Sequence, residues 1–280
     1  MLLCTEKKIP LSGCKTIASM EYFGYLASIL IGITLGLIGG GGSILTVPIL
    51  VYLFHINPES ATSYSLFIVG ITAMVGSYRH YALGNLKIKS ALYFAFPSVF
   101  SLLLVRKIVL PKIPSSLFYV DGFEVTKNLL IMVVFALLMM AASVSMIRKS
   151  KEVTTTNVNF PQLALIGFIV GLVIGFLGAG GGFMIIPALL FFANLPMKQA
   201  VGTSLLIIFI NSLIGFSGDV IIGININYTL LLTISMIAII GMLIGTQLSK
   251  KIDGAKLKPA FGWFILVMGI YIITKEVFLK

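Results

Sequence analysis

The sequence contains little charge: only 10% of its 280 residues are Asp, Glu, Lys or Arg, against about 25% in soluble domains. Hydrophobic residues make up 58%, and the mean hydropathy is +1.08. A soluble domain of this length could not cover its core with so few charges, whereas a protein surrounded by lipid does not need to. The scarcity of charge therefore excludes an ordinary soluble enzyme and indicates a membrane protein.

Acidic residues are especially scarce, nine against twenty Lys and Arg, which gives a formal net charge of +11. In a soluble protein such an excess would suggest nucleic-acid binding. Here the basic residues lie in short clusters between apolar runs, which is typical of residues that flank membrane segments at anionic lipid headgroups. We therefore expect a lipid bilayer as partner and no nucleic acid.

Cysteine and histidine, two of each, are also rare. Cys4 and Cys14 lie in the N-terminal 20 residues, outside the predicted membrane segments, so we expect neither a disulfide framework nor a metal site. The sequence contains no HExxH motif, no carboxylate pair within a membrane segment and no Cys/His cluster. We predict that the protein is not an enzyme and that it needs no cofactor or metal.

Eight stretches contain no charged residue and mark the predicted membrane segments, because a charge at the bilayer centre costs several kcal/mol. Six of them have lengths near those of a spanning helix, which needs about 20 residues, and two are much longer. The long stretches are 22–58 and 153–197, and the others are 60–78, 90–105, 128–147, 199–218, 220–249 and 259–274.

The two long stretches begin two similar halves of the chain. Gly39 recurs as Gly178 and Pro48 as Pro187, each 139 positions later, and matches at this spacing continue as far as Gly223. Such self-similarity is the signature of a duplicated unit. We predict an all-α polytopic membrane protein with two homologous four-segment repeats, at 22–147 and 163–280, an N-terminal tail at 1–21 and a polar linker loop at 148–162.

Each repeat starts with an apolar run that glycines interrupt, GLIGGGGSILTVPIL at 36–50 and GFLGAGGGFMIIPAL at 175–189. Each Gly disfavours a helix by about 1 kcal/mol relative to Ala. Irregular backbone inside a membrane is tolerated only where it is buried in protein or lines a wet cavity. We predict two broken helices, with halves at about 24–38 and 43–54, then at about 163–177 and 183–193.

The glycine breaks are the predicted binding site. The N–H groups that open each second half-helix, at Ser43 and Gly182, lack an intrahelical partner, and the helix dipole adds positive charge there. Discontinuous helices at matching positions of two repeats also indicate a transporter's substrate site. Hydroxyl and amide groups of the following segments would complete it. The candidate substrate-binding residues are Gly39, Gly40, Gly41, Gly42, Ser43, Ser63, Ser65, Gly178, Gly180, Gly181, Gly182, Thr203, Ser204 and Asn211.

Other interpretations stay open for some of these residues. Spaced glycines such as Gly32 and Gly36 are expected to allow close helix packing, and the consecutive ones could do the same. His80 and Asp219, which match at the 139-residue spacing, are either interfacial residues or a proton or gating pair. Because neither long stretch contains Arg or Lys, we expect dipoles and hydroxyl groups, not a fixed cation, to hold an anion.

The twin motifs, at 32–48 and 171–187, resemble those of the TauE/SafE family of membrane permeases, often described as sulfite exporters. The segments AVGTSL at 200–205 and HYALGN at 80–85 strengthen the resemblance. It implies a multi-pass protein of the cell membrane and a secondary carrier of small sulfur-containing anions such as sulfite, sulfoacetate or other organosulfonates. The alternative function is a transporter or channel for another small anion or solute.

The path of the broken segments determines the topology. If they cross the membrane, each repeat crosses four times and the repeats are parallel. If they are re-entrant hairpins, each repeat crosses three times and the repeats are inverted. The loop at 79–89 carries three basic residues whereas its counterpart carries only Asp219, which favours inversion. We therefore expect inverted repeats, with the loops at 79–89, 148–151 and 250–258 in the cytoplasm.

Overall fold

The computed structural model describes residues 11–114, 116–120, 123–147, 159–224, 226–249 and 254–278. Cys4 and most of the predicted linker loop lie outside these residues. The described α-helices are α1 (Leu11–Ile38), α2 (Thr46–Tyr52), α3 (Pro58–Ala82), α4 (Ile88–Leu104), α5 (Leu110–Lys112), α6 (Lys127–Ile147), α7 (Phe160–Leu177), α8 (Ile185–Phe192), α9 (Met197–Ile222), α10 (Tyr228–Leu248) and α11 (Gly254–Ile273). The predicted all-α membrane fold is confirmed.

The structure adds short elements that were not predicted. Two antiparallel strands, β1 (Ser116–Val120) and β2 (Phe123–Thr126), form a hairpin between α5 and α6. π-Helical turns occur at Val105–Val109, between α4 and α5, and at Thr274–Phe278, after α11. These elements lie at the ends of the long helices, so they do not alter the helical character of the fold.

Five of the described helices are long and apolar enough to cross a membrane: α3, the continuous run Ile88–Lys112, α7, α9 and α10. Each of the eight charge-free stretches contains a helix, and the two long ones contain a helix pair. Large apolar side chains point outward, as Phe96 and Ile221 do at 84% and 85% exposure. In a bilayer such side chains contact lipid instead of water.

Both long stretches break at their glycines, as predicted. A tight 3-10 segment follows α1 at Gly39–Leu45, and another follows α7 at Gly178–Met184. The first residue of each has a positive φ, +68° and +74°, which glycine adopts without strain. The α-helical halves resume at Thr46 and Ile185, a few residues later than predicted, because the 3-10 turns take up the glycine runs.

The first broken helix folds back on itself as a hairpin. The rings of Tyr25 and Phe54 meet edge to face with centroids 5.3 Å apart, and a Cβ added at Gly24 would lie 2.7 Å from the Phe54 ring. A straight helix would separate Tyr25 from Phe54 by about 44 Å. The chain therefore returns towards the side from which it entered, as the hairpin alternative predicted. In the second broken helix, α8 likewise packs against α7.

The spaced glycines serve close helix packing, as expected. Gly32 of α1 lies against the backbone of Ala238 in α10, and Gly241 of α10 lies against the backbone of α1 in return. α4 and α7 form a similar pair, in which Gly171 lies against Ser98. A Cβ at these glycines would meet backbone atoms of the partner helix, so the helices can approach this closely only through small residues.

The helices α3 and α9 form the centre of the bundle and run antiparallel. Gly70 of α3 lies beside Ser212 of α9, and Gly202 near the start of α9 lies beside His80 near the end of α3. By contrast, α1 runs parallel to α10. In the predicted repeats α3 and α9 are matching segments, and their opposite directions are those that inverted repeats require.

Candidate functional site

The two glycine breaks meet in the protein interior. A Cβ at Gly40 would meet the carbonyl oxygen of Gly182, and a Cβ at Gly182 would lie 3.0 Å from the Oγ of Ser43. The hydroxyl of Ser43 donates a hydrogen bond to the carbonyl oxygen of Gly40 (2.7 Å). All three residues are buried. Two segments that are far apart in the sequence therefore share one central position.

Each break also lies against hydroxyl groups of the opposite half of the chain. The N–H of Gly40 donates to the Oγ of Ser204 (3.3 Å), and that hydroxyl donates to the carbonyl oxygen of Val201 (2.8 Å). In the second break, a Cβ at Gly178 would lie 2.9 Å from the Oγ of Ser65. The contacts are crosswise, since the first break meets α9 and the second meets α3.

The other predicted glycines lie in the same 3-10 segments. Gly41 belongs to the first segment, and Gly180 and Gly181 belong to the second. Gly42 folds back so closely that a Cβ there would meet the backbone of Thr34 and Leu35 in α1. Gly42 therefore allows the chain to reverse direction at the tip of the hairpin.

Two predicted side chains have partners other than the breaks. The Oγ1 of Thr203 accepts a hydrogen bond from the N–H of Lys87 (3.1 Å), in the loop after α3. The amide nitrogen of Asn211 donates to the Oγ of Ser98 in α4 (2.7 Å). The Oδ1 of Asn211 is buried and has no hydrogen-bond partner among the described residues. Asn211 thus presents one unused acceptor inside the bundle.

A buried cation lies beside the predicted residue Ser63, and sequence reasoning missed it. The guanidinium of Arg106 forms an ion pair with Asp219, and the two side chains are only 4% and 3% exposed. Arg106 also donates from Nη1 to the Oγ of Ser63 and from Nη2 to the Oγ1 of Thr62, each at 3.2 Å. The expectation that the core holds no fixed cation is therefore wrong.

The position of Arg106 explains why it was missed. It ends a charge-free stretch and precedes Lys107, so the two residues read as an ordinary basic cluster at the membrane surface. In the structure both lie in the π-helical turn Val105–Val109, where Arg106 is buried and Lys107 is exposed. The signal that could have found it is Asp219, because a carboxylate in an apolar segment needs a cation nearby.

His80 and Asp219 are not in contact, so they do not form a direct proton-transfer pair. Asp219 binds Arg106 near the end of α9, whereas His80 lies beside Gly202 near its start, about 25 Å away along the helix. His80 is 4% exposed, and its two ring nitrogens have no hydrogen-bond partner within the described part of the chain. The two residues occupy opposite ends of the α3–α9 pair.

Comparison with known proteins identifies the family. The sequence model of the family described as "Sulfite exporter TauE/SafE" matches residues 25–272. That range includes both glycine breaks and the α3–α9 pair. The chain therefore belongs to the TauE/SafE family, a family of membrane transporters, and is a multi-pass membrane protein.

The relatives have the same general character. A "Probable membrane transporter protein" of Xylella fastidiosa strain Temecula1 is 30% identical over 262 residues, which cover 88% of this chain and 92% of that protein. The "Probable membrane transporter protein YdhB" of Bacillus subtilis strain 168 is 26% identical, with 89% and 98% covered. No solved structure shows a significant match to this chain.

Proposed function

We propose that this protein is a secondary transporter that moves small sulfur-containing anions, such as sulfite, sulfoacetate or other organosulfonates, across the cell membrane. The observation that carries the proposal is the meeting of the two glycine breaks at Gly40 and Gly182 in the interior of a membrane protein. The family description supports sulfite as the first anion to test. The alternative is a transporter or channel for another small anion or solute.

The chemistry of the breaks suits such a substrate. Sulfite and sulfonates are compact anions with several acceptor oxygens, and backbone N–H groups and hydroxyls are the matching donors. The 3-10 turns lack side chains at their glycines, so an anion can approach the backbone closely. The hydroxyls of Ser65 and Ser204 lie beside the breaks, and each would become a donor to an anion by turning away from the backbone carbonyl oxygen that it now binds. Dipolar donors bind an anion without holding it too tightly for release.

The arrangement of the halves supports an alternating-access mechanism. We propose that residues 22–147 and 163–280 are inverted repeats that rock against each other around the site. The antiparallel direction of α3 and α9 and the crosswise contacts of the breaks support this assignment. Because each break lies against the other half, a movement of one half would change the surroundings of both breaks at once.

A flux measurement in proteoliposomes tests the proposal, with sulfite, sulfoacetate and thiosulfate as substrates. The double variant Gly41→Leu/Gly181→Leu is expected to abolish flux while the protein still reaches the membrane, because it adds a large side chain to each glycine break. Ser217→Leu is the control, since Ser217 is exposed on α9 and the change should leave flux intact. Normal flux in the double variant would refute the site, and a wider panel of solutes tests the alternative.

A further inference from the structure

The ion pair between Arg106 and Asp219 has no role in the dipolar site described above. Its side chains are almost completely buried, and it lies against Thr62 and Ser63 at the start of α3. Thr62 in turn lies against the second glycine break, since a Cβ at Gly178 would meet its carbonyl oxygen. A charged cluster therefore directly adjoins one of the two breaks.

Stability alone is a weak reason for such a pair. Removing two charges from water carries a large desolvation penalty, and apolar residues of similar volume often stabilise a protein as well or better. Ionisable groups inside membrane segments usually mark substrate or ion pathways. The pair is also incompletely satisfied, because the Nε of Arg106 is buried without a hydrogen-bond partner in the part of the chain that the structure describes.

We propose that Arg106 binds the transported anion and that the carboxylate of Asp219 occupies its guanidinium when the substrate is absent. This inference rests on the proposed function, and it names the charged group that would select anions. A guanidinium presents planar, forked donors that match the oxygens of carboxylates and other oxyanions. Asp219 is then an internal substitute for the substrate, and an arriving sulfite or sulfonate takes its place.

The donors around Arg106 fit this exchange. Ser63 and Thr62 hold Nη1 and Nη2 through their hydroxyl oxygens, so the guanidinium keeps its orientation when Asp219 leaves. The Nε, which has no partner among the described residues, offers a further donor to a second oxygen of the anion. The exchange replaces one carboxylate by another oxyanion at the guanidinium, and the displaced Asp219 carboxylate takes up a proton from water, so neither charge is left without a partner in the apolar interior.

A second ion pair lies nearby and serves as a matched control. Lys127 Nζ binds Glu59 Oε1 at 2.7 Å, and Glu59 opens α3 three residues before Thr62. The Glu59 side chain is 48% exposed, unlike Asp219. Because this pair neutralises itself at a more open position, its removal should not affect anion binding.

The decisive variant is Arg106→Met/Asp219→Leu, which replaces both charges with apolar side chains and leaves no unpaired charge behind. We expect a folded protein whose sulfite flux in proteoliposomes falls at least 100-fold and whose melting temperature in detergent no longer rises with sulfite. The control variant Lys127→Met/Glu59→Gln should keep at least half of the wild-type flux. Flux of the Arg106→Met/Asp219→Leu protein within twofold of wild type would show that the pair is structural and overturn the inference.

A single substitution measures the competition directly. Asp219→Asn removes the competing charge but keeps the shape of the side chain. Sulfite should therefore bind this variant more tightly than the wild type, so the concentration that gives half of the maximal melting-temperature shift should be about tenfold lower. An unchanged or higher concentration would contradict the inference. This variant also decides the matter if the double variant is not recovered as a folded protein.

The same measurements separate this inference from the proposed function. If wild-type protein moves no sulfur-containing anion, the proposed function fails, and the melting-temperature assay is repeated with nitrate, phosphate, formate and acetate. Protection of the wild type but not of Arg106→Met/Asp219→Leu by any of them would still support Arg106 as an anion-binding residue. Protection of both proteins or of neither would overturn it.

Discussion

The two ends of the α3–α9 pair have similar backbone hydrogen bonds but chemically different side chains. At one end, the N–H of Ile224 donates to the carbonyl oxygen of Asp219, and at the other the N–H of Asn85 donates to that of His80. Both donor and acceptor positions are separated by 139 residues, the spacing of the sequence repeat. The turns therefore match, while the side chains at their starts are a carboxylate and an imidazole.

The two ends also differ in the residues that surround Asp219 and His80. Ser63, which binds Arg106, has its counterpart in Gly202. The His80 end thus has a glycine where the Asp219 end has the hydroxyl that binds Arg106. Similar backbone geometry can therefore accommodate a buried charged group at one end and close helix packing at the other.

Removing the cation of the ion pair should produce the largest effect on stability. Arg106→Met leaves the carboxylate of Asp219 buried without its cation, which typically costs about 3–5 kcal/mol. We expect little folded protein in detergent and a strongly lowered melting temperature. Adding Asp219→Leu should restore much of the yield, because the unpaired charge is removed. A melting temperature of Arg106→Met close to that of wild type would show that Asp219 is not dependent on Arg106.

A single methyl group added at Gly40 or at Gly182 should lower the stability of the protein by unequal amounts. Gly40→Ala places its Cβ against the carbonyl oxygen of Gly182, and backbone cannot move aside easily, so we expect a loss of about 1–3 kcal/mol. Gly182→Ala meets the Oγ of Ser43 at 3.0 Å, and a hydroxyl can rotate. The loss in free energy of unfolding, measured by thermal unfolding, should be less than half as large for Gly182→Ala as for Gly40→Ala. Equal losses would contradict the asymmetric contact.

The smallest effect is expected at the His80 end. His80→Leu removes two buried ring nitrogens that lack partners among the described residues, so stability should stay the same or rise by up to about 1 kcal/mol. Flux of the transported anion should also persist. A loss of flux with unchanged melting temperature would show that His80 has a role in transport and that the two ends share the work.

Much of the fold was predictable because lipid imposes strict rules. Charge-free stretches located the helices, and consecutive glycines located both breaks, since a glycine run opposes a helix wherever it occurs. The contact between Gly40 and Gly182 was not predictable in detail, because it depends on how two hairpins from distant parts of the chain come together. The separation of His80 from Asp219 was not predictable for the same reason, since matching positions in a predicted repeat need not be neighbours in space.

Arg106 and Lys107 show where local sequence information ends. Both are basic residues that directly follow a charge-free stretch, and the neighbouring sequence does not distinguish them. In the folded protein Lys107 is exposed while Arg106 is buried against Asp219, 113 residues away in the sequence. Hydrophobicity and glycine content are local properties and act along the chain, so they determined the helices and their breaks. An ion pair depends on distance in space, and only the packing of α4 and its π-helical turn against α9 decided which of the two cations would enter the core.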